Sequence, residues 1–189
     1  MTIDRRIVSG GFLAAVATAF LPASAKAHPH PTTLEQRFMP QRVANPFAYP
    51  AGTIVVAPRD RYLYLLETPA TARRYGIGVG KAGLAFKGEA IIERKAKWPS
   101  WRPTPNMIKR DPKRYAKFAG GVPGGPGNPL GSRALYLYRD GRDTLYRIHG
   151  TTEPWTIGQA VSNGCVRMVN EHVEELFEIV PVGTRVVVV

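Results

Sequence analysis

From residue 53 onward, apolar and polar positions alternate in short blocks separated by turn residues. Ile54-Val55-Val56, the turn Pro58-Arg59-Asp60 and Tyr62-Leu63-Tyr64-Leu65-Leu66 read as a β-hairpin. Residues 74–79 and 89–95 have the texture of further strands. Residues 106–118 read as helical, with Asp111-Pro112 dividing the stretch in two because proline removes a donor and clashes with the preceding turn. A turn-rich loop over 120–131 follows, then strands over 134–138 and 145–149 about an Asp140-Gly141 turn. Asn170 is the expected N-cap of a helix over 171–180 with Leu176, Phe177 and Val180 on its apolar side. Pro181 and Gly183 stop that helix, and residues 185–189 form a closing strand. The pattern predicts a mainly β domain with peripheral helices and no internal repeat.

Two segments precede this domain. Residues 28–50 carry five prolines and little periodicity, and read as an extended Pro-rich arm. Residues 1–27 combine Arg5 and Arg6, a mostly apolar run over 7–21, and a small-residue ending with Ala25 and Ala27 in an A-x-A arrangement. That is the form of a signal peptide, through the Sec or the twin-arginine route. The expectation is an exported protein of the periplasm or cell envelope, meeting the membrane only during export, with its domain over residues 51–189.

Composition narrows the chemistry. With 44% hydrophobic and 21% charged residues, the 189-residue chain can bury a core, and 19 Gly with 17 Pro argue against a helical bundle. A single cysteine allows neither an internal disulfide nor a Cys-based zinc site. In an oxidising compartment a lone Cys165 is either apolar filler or a working thiol. A net charge of +12 fits an anionic partner. Export and the lack of any nucleic-acid module argue against nucleic acid.

Several motifs carry little. The pattern Gly78-Val79-Gly80-Lys81-Ala82-Gly83 matches G-x-G-x-x-G, but a strand-like segment follows where a dinucleotide site needs a helix, so it reads as a hairpin turn. Ala82 after Gly80-Lys81 excludes the NTPase phosphate loop. The stretch 124–129 reads as a rigid loop wall, His28 and His30 as arm residues without a metal, and His172 as a surface residue. No metal and no cofactor is expected.

The informative block runs from Ile148-His149-Gly150-Thr151 to Ser162-Asn163-Gly164-Cys165-Val166-Arg167-Met168. A cysteine nucleophile needs a base, and His149 ends a strand sixteen residues upstream, far enough for the chain to fold back and set imidazole beside sulfur. Gly164 permits a tight turn that exposes the thiol and aims N–H groups at an oxyanion. If the segment is extended, Arg167 shares a face with Cys165 and suits a substrate carboxylate. Trp155 is taken as a second substrate contact. Read one at a time, the same residues are also explained as buried filler, a core histidine and a surface charge.

Together these residues resemble the active-site signature of the L,D-transpeptidase (YkuD-type) catalytic domain, in which a His-Gly pair precedes an S-x-G-C-x-R core. Trp98-Pro99-Ser100-Trp101, Asn128-Pro129-Leu130-Gly131 and Ala134-Leu135-Tyr136-Leu137 are similar to landmarks of the same family, so the resemblance covers about residues 53–189. It implies a β-sandwich-like fold of mixed sheets acting on peptidoglycan stem peptides. Cys165 would attack the L-centre carbonyl of a stem tetrapeptide and release D-Ala. His149 would be general base and acid, oriented by the Gly150 carbonyl. Backbone N–H groups around Gly164 and Cys165 would meet the oxyanion, with Ser162 and Asn163 supporting the turn. An amine of a neighbouring stem would resolve the thioester into a 3–3 cross-link. Hydrolysis by an L,D-carboxypeptidase and attachment of an envelope protein are the same chemistry with other acceptors; a non-catalytic wall-binding module is the reading of another class. Asn163 stands where many members carry histidine, which exchanges a titratable group for one that only hydrogen-bonds.

Overall fold

The computed structural model describes residues 33–81, 84 and 86–189. The signal-peptide reading of residues 1–27, and His28 and His30, lie outside the described residues. Among the described residues the strands are β1 (Gln41–Ala44), β2 (Ile54–Ala57), β3 (Tyr62–Leu66), β4 (Thr71–Gly76), β5 (Val79–Gly80), β6 (Gly88–Lys97), β7 (Arg133–Arg139), β8 (Arg142–His149), β9 (Ala160–Ser162), β10 (Val166–Arg167) and β11 (Arg185–Val188). Three α-helices join them: α1 (Pro105–Arg110), α2 (Pro112–Tyr115) and α3 (Asn170–Ile179).

Nine strands form one mixed sheet in the order β1-β4-β3-β2-β11-β6-β7-β8-β10, and β5 pairs with β9 in a second, two-stranded sheet. The pairs β2–β11 and β8–β10 are parallel, and the other pairs of the large sheet are antiparallel. Inward side chains from both halves of the large sheet, among them Ile54, Leu63, Tyr75, Ile92, Leu135 and Ile148, join α3's Val173, Leu176 and Phe177 in one buried cluster. α3 closes this main core, and the other face of β2, β3 and β4 carries a smaller buried cluster of Val55, Ala57, Tyr64, Leu66 and Ala72, against which Val43 and Phe47 pack. Each such side chain contributes about 1.5–3 kcal/mol by leaving water. Among the described residues no helix is long and apolar enough to cross a membrane.

Several elements differ from the sequence pattern. The proline-rich stretch does not stay clear of the domain, because residues 41–44 add to the sheet edge against β4. The strand expected over 74–79 is two strands in two sheets. Gly76 and Gly78 sit against Phe38 and the Thr156 carbonyl, where a Cβ would clash, and the chain crosses between sheets there. Gly78–Gly80 is accordingly no hairpin turn: Gly78 bridges Arg167, and β5 pairs with β9. The helical stretch divides at Asp111-Pro112, with Thr104 capping α1 and Asp111 capping α2. His172 is buried, because α3 packs its 172-173-176-177 side inward.

Asn170 is the first residue of α3 and makes no cap. Its Oδ1 instead accepts from the amides of Ser132, at 3.1 Å, and Thr151, at 3.2 Å, tying the loops before β7 and after β8 together. Asn170→Ala leaves two amides without that acceptor and is expected to cost about 2–4 kcal/mol, read from urea unfolding. Asn170→Asp, which keeps the acceptor, should recover most of that loss.

Candidate active site

The site is built on the short parallel pairing of β10 with β8. Its register sets Arg167 beside His149 and Val166 beside Ile148. Side chains alternate faces along a strand, so residues two apart share a face. Continuing that register one step puts Cys165 beside Arg147. Cys165, Arg147, His149 and Arg167 thus project from one face, and all four line one open groove of about 560 Å³. The opposite wall comes from Trp101 and the α1–α2 segment, including Arg110, Arg114 and Tyr115.

His149 is only 4% exposed. Its Nδ1 lies 2.6 Å from the Gly150 carbonyl oxygen. Burial, and then the Arg167 charge, push its pKa down to about 3, against the pull of the Gly150 and Leu130 carbonyls. The ring is neutral at ordinary pH, with Nδ1–H donated to Gly150 and Nε2 left as the basic nitrogen. Glycine at 150 is imposed by packing, because a Cβ there would overlap Asn170 Oδ1.

Cys165 is half-buried. Its thiol points at the Leu145 carbonyl, 3.9 Å away, and no hydrogen bond joins it to His149. Burial raises its pKa, opposed by the Arg147 amide and by the Arg147 and Arg167 charges. Sulfur and ring therefore share the groove wall as a neutral thiol and a neutral imidazole.

The turn before Cys165 is closed from within. Ser162 Oγ donates to the Cys165 carbonyl at 2.7 Å and accepts from the Gly164 amide at 3.1 Å. That bond engages in the turn the Gly164 N–H that was expected to face an oxyanion. Gly164 itself has φ 124°, and a Cβ there would run into the Tyr146 ring and the Leu84 carbonyl. Asn163 reaches the opposite wall: its Nδ2 donates to Tyr115 Oη at 2.6 Å and its Oδ1 accepts from Arg110 Nη2 at 3.2 Å.

Arg167 is not a free cation, because its Nη1 holds Glu153 Oε2 at 2.8 Å, while its Nε is buried without a partner. Trp155 stands half-buried in the 3₁₀ turn Pro154–Thr156, and Thr152 and Glu153 just before that turn line the groove. The sequence pattern did not single out Arg147, Leu145, Arg110 or Tyr115. Arg147 holds Asp143 with two bonds of 2.7 Å and stacks 4.2 Å from the Tyr136 ring centre. Leu145, 59% exposed, takes the left-handed value φ 62° beside an irregular β7–β8 register, with its amide donating to Asp143 Oδ1 at 2.8 Å. A polar residue two before an exposed leucine was the only local signal. Among the described residues no group of three His, Cys, Asp or Glu side chains converges.

The family model for the L,D-transpeptidase catalytic domain (YkuD) matches residues 51–188. The probable L,D-transpeptidase ErfK/SrfK of Escherichia coli is 37% identical over 161 residues, 84% of this chain and 50% of that protein. The chain thus spans about half the length of the curated relatives it matches. In structure, L,D-transpeptidase 3 from Mycobacterium tuberculosis shares the fold, with a TM-score of 0.53 at 15% identity over 74% of this chain and 61% of that one. A probable carnitine operon oxidoreductase from Brucella melitensis is 56% identical, over 82% of this chain and 96% of that one, with a TM-score of 0.56. Here the glycine pattern after residue 78 enters strand β5, and Leu84, Phe86 and Lys87 form no helix before β6.

The neutral pair sets two pH expectations. Alkylation of Cys165 by iodoacetamide should be slow at pH 7 and rise with pH beyond 9, without the plateau between pH 5 and 8 of a preformed thiolate–imidazolium pair. His149 and His172 both bind protons less readily folded than unfolded, His172 through burial. Their stabilising effect is complete above about pH 6.5 and declines as pH falls below it, for His149 down to about pH 3, so unfolding free energy should drop by up to ~1.4 kcal/mol per pH unit for His149, with His172 adding in the same direction.

Proposed function

The chain belongs to the L,D-transpeptidase catalytic domain family, and from that membership we propose that it is an exported enzyme joining peptidoglycan stem peptides through a thioester on Cys165. The observation that carries the proposal is the common face of Cys165, Arg147, His149 and Arg167 on one groove wall.

Cys165 Sγ rotates from the Leu145 carbonyl toward the groove and attacks the L-centre carbonyl carbon of a stem tetrapeptide. His149 Nε2 takes the thiol proton as the S–C bond forms, so no thiolate need accumulate beforehand. With the Gly164 amide engaged by Ser162, the Cys165 N–H is the donor for the oxyanion, and the Arg147 and Arg167 charges favour the negative charge that develops. The carbonyl then re-forms, the C–N bond breaks, and His149 hands its proton to the departing D-Ala amine. In the second half, the amine of a neighbouring stem attacks the thioester, gives its proton to His149, and displaces the sulfur, which is reprotonated. The product is a 3–3 cross-link.

Incubation with a tetrapeptide donor or a carbapenem should add one acyl group to the protein, seen by mass spectrometry, and none to Cys165→Ala. A folded protein that takes up no acyl group rejects the proposal. His149→Ala should slow acylation by roughly 10²–10⁴-fold. Mass spectrometry of muropeptides then separates acceptors: 3–3 dimers support cross-linking, whereas tripeptides alone indicate hydrolysis.

A further inference from the structure

The helical segment across the groove from Cys165 concentrates positive charge. Between residues 102 and 118 stand Arg102, Lys109, Arg110, Lys113, Arg114 and Lys117, against the single acid Asp111. Asp111 is turned to capping, its Oδ1 accepting from the Arg114 amide at 3.1 Å. All six cations are exposed, and none enters the ion pairs formed among the described residues.

The six divide by direction. Arg102, Arg110 and Arg114 line the groove that holds the nucleophile, whereas Lys109, Lys113 and Lys117 do not. Arg110 is aimed by its bond to Asn163, two residues before Cys165, and Arg102 is steadied by a 3.3 Å bond to the Gly120 carbonyl. A guanidinium carries five N–H donors, so each retains unused donors facing the groove. The arginines on the opposite wall differ, since Arg147 and Arg167 are already matched to Asp143 and Glu153.

We infer that Arg102, Arg110 and Arg114 form a carboxylate-binding subsite, so that the groove selects a peptide bearing free carboxylates over the same peptide with those carboxylates amidated. The identity of the peptide rests on the transpeptidase reading above. Guanidinium groups bind carboxylates through paired, charge-assisted hydrogen bonds. An amidated group has no charge to offer and turns N–H donors toward donors.

The test titrates the full-length Cys165→Ala protein with the stem tetrapeptide in free-acid and amidated forms. The free acid should bind at least ~10-fold more tightly, and less so at high salt. Replacing the three groove arginines together (Arg102→Gln, Arg110→Gln, Arg114→Gln) should abolish the difference. Replacing Lys109, Lys113 and Lys117 by Gln removes equal charge outside the groove and should preserve it. Equal binding of the two peptides, no binding of either, or loss of the preference in the lysine variant would each overturn the subsite. If the arginine variant does not fold, the comparison of the two peptides still decides. Acylation of the unsubstituted protein separates this inference from the reading beneath it. Equal acylation by both peptides defeats the subsite alone. Selective binding without acylation upholds the subsite and defeats the transpeptidase reading.

Discussion

Two residues of parallel pairing, Val166 and Arg167 of β10 against Ile148 and His149 of β8, hold the site together. Slipping that register by one residue would send Cys165 and Arg167 to the opposite face from His149. What fixes it lies outside the pair. Gly78 bridges Arg167 from the far side, with Gly78 N donating to Arg167 O at 2.9 Å and Arg167 N to Gly78 O at 2.8 Å. The Met168 amide donates to the His149 carbonyl at 2.8 Å. β10 is therefore held between β8 on one side and, on the other, the residue that leads into β5, so two separate segments fix the position of Cys165.

Burial then sets the electrostatics. A histidine nine-tenths or more withdrawn from water beside two arginines does not hold a proton at rest, and a desolvated thiol does not release one. Both groups are uncharged at rest, and the arginines that suppress charge on the imidazole favour negative charge on the sulfur. Arg147 and Arg167 keep their positions because each has its own carboxylate, so the field at the sulfur comes from two held ion pairs rather than from mobile side chains.

Much of the fold was legible because its strands are short, apolar and bounded by turn residues. The β2–β3 hairpin, the break at Pro112 and the closing strand follow directly from that pattern. β1 was not legible, since an edge strand with one side open needs no apolar alternation: Gln41 and Val43 are only half-buried, and Arg42 and Ala44 are exposed. Asn170 was misread for a related reason. Its type suits an N-cap, but the amides it serves lie 38 and 19 residues away, a separation no local pattern records. At the site, the spacing of His149, Gly164, Cys165 and Arg167 singled out the wall that carries β10. The wall facing it consists of arginines and aromatics on and beside α1 and α2 that look like any solvated helical segment until the chain is folded over the groove.

Asn163 gives that facing wall a further significance. Its amide bonds to both Arg110 and Tyr115 while its backbone forms the turn leading into Cys165. The two short helices and the turn that carries Cys165 are thus clasped through a single amide side chain, so neither element can shift without straining the other.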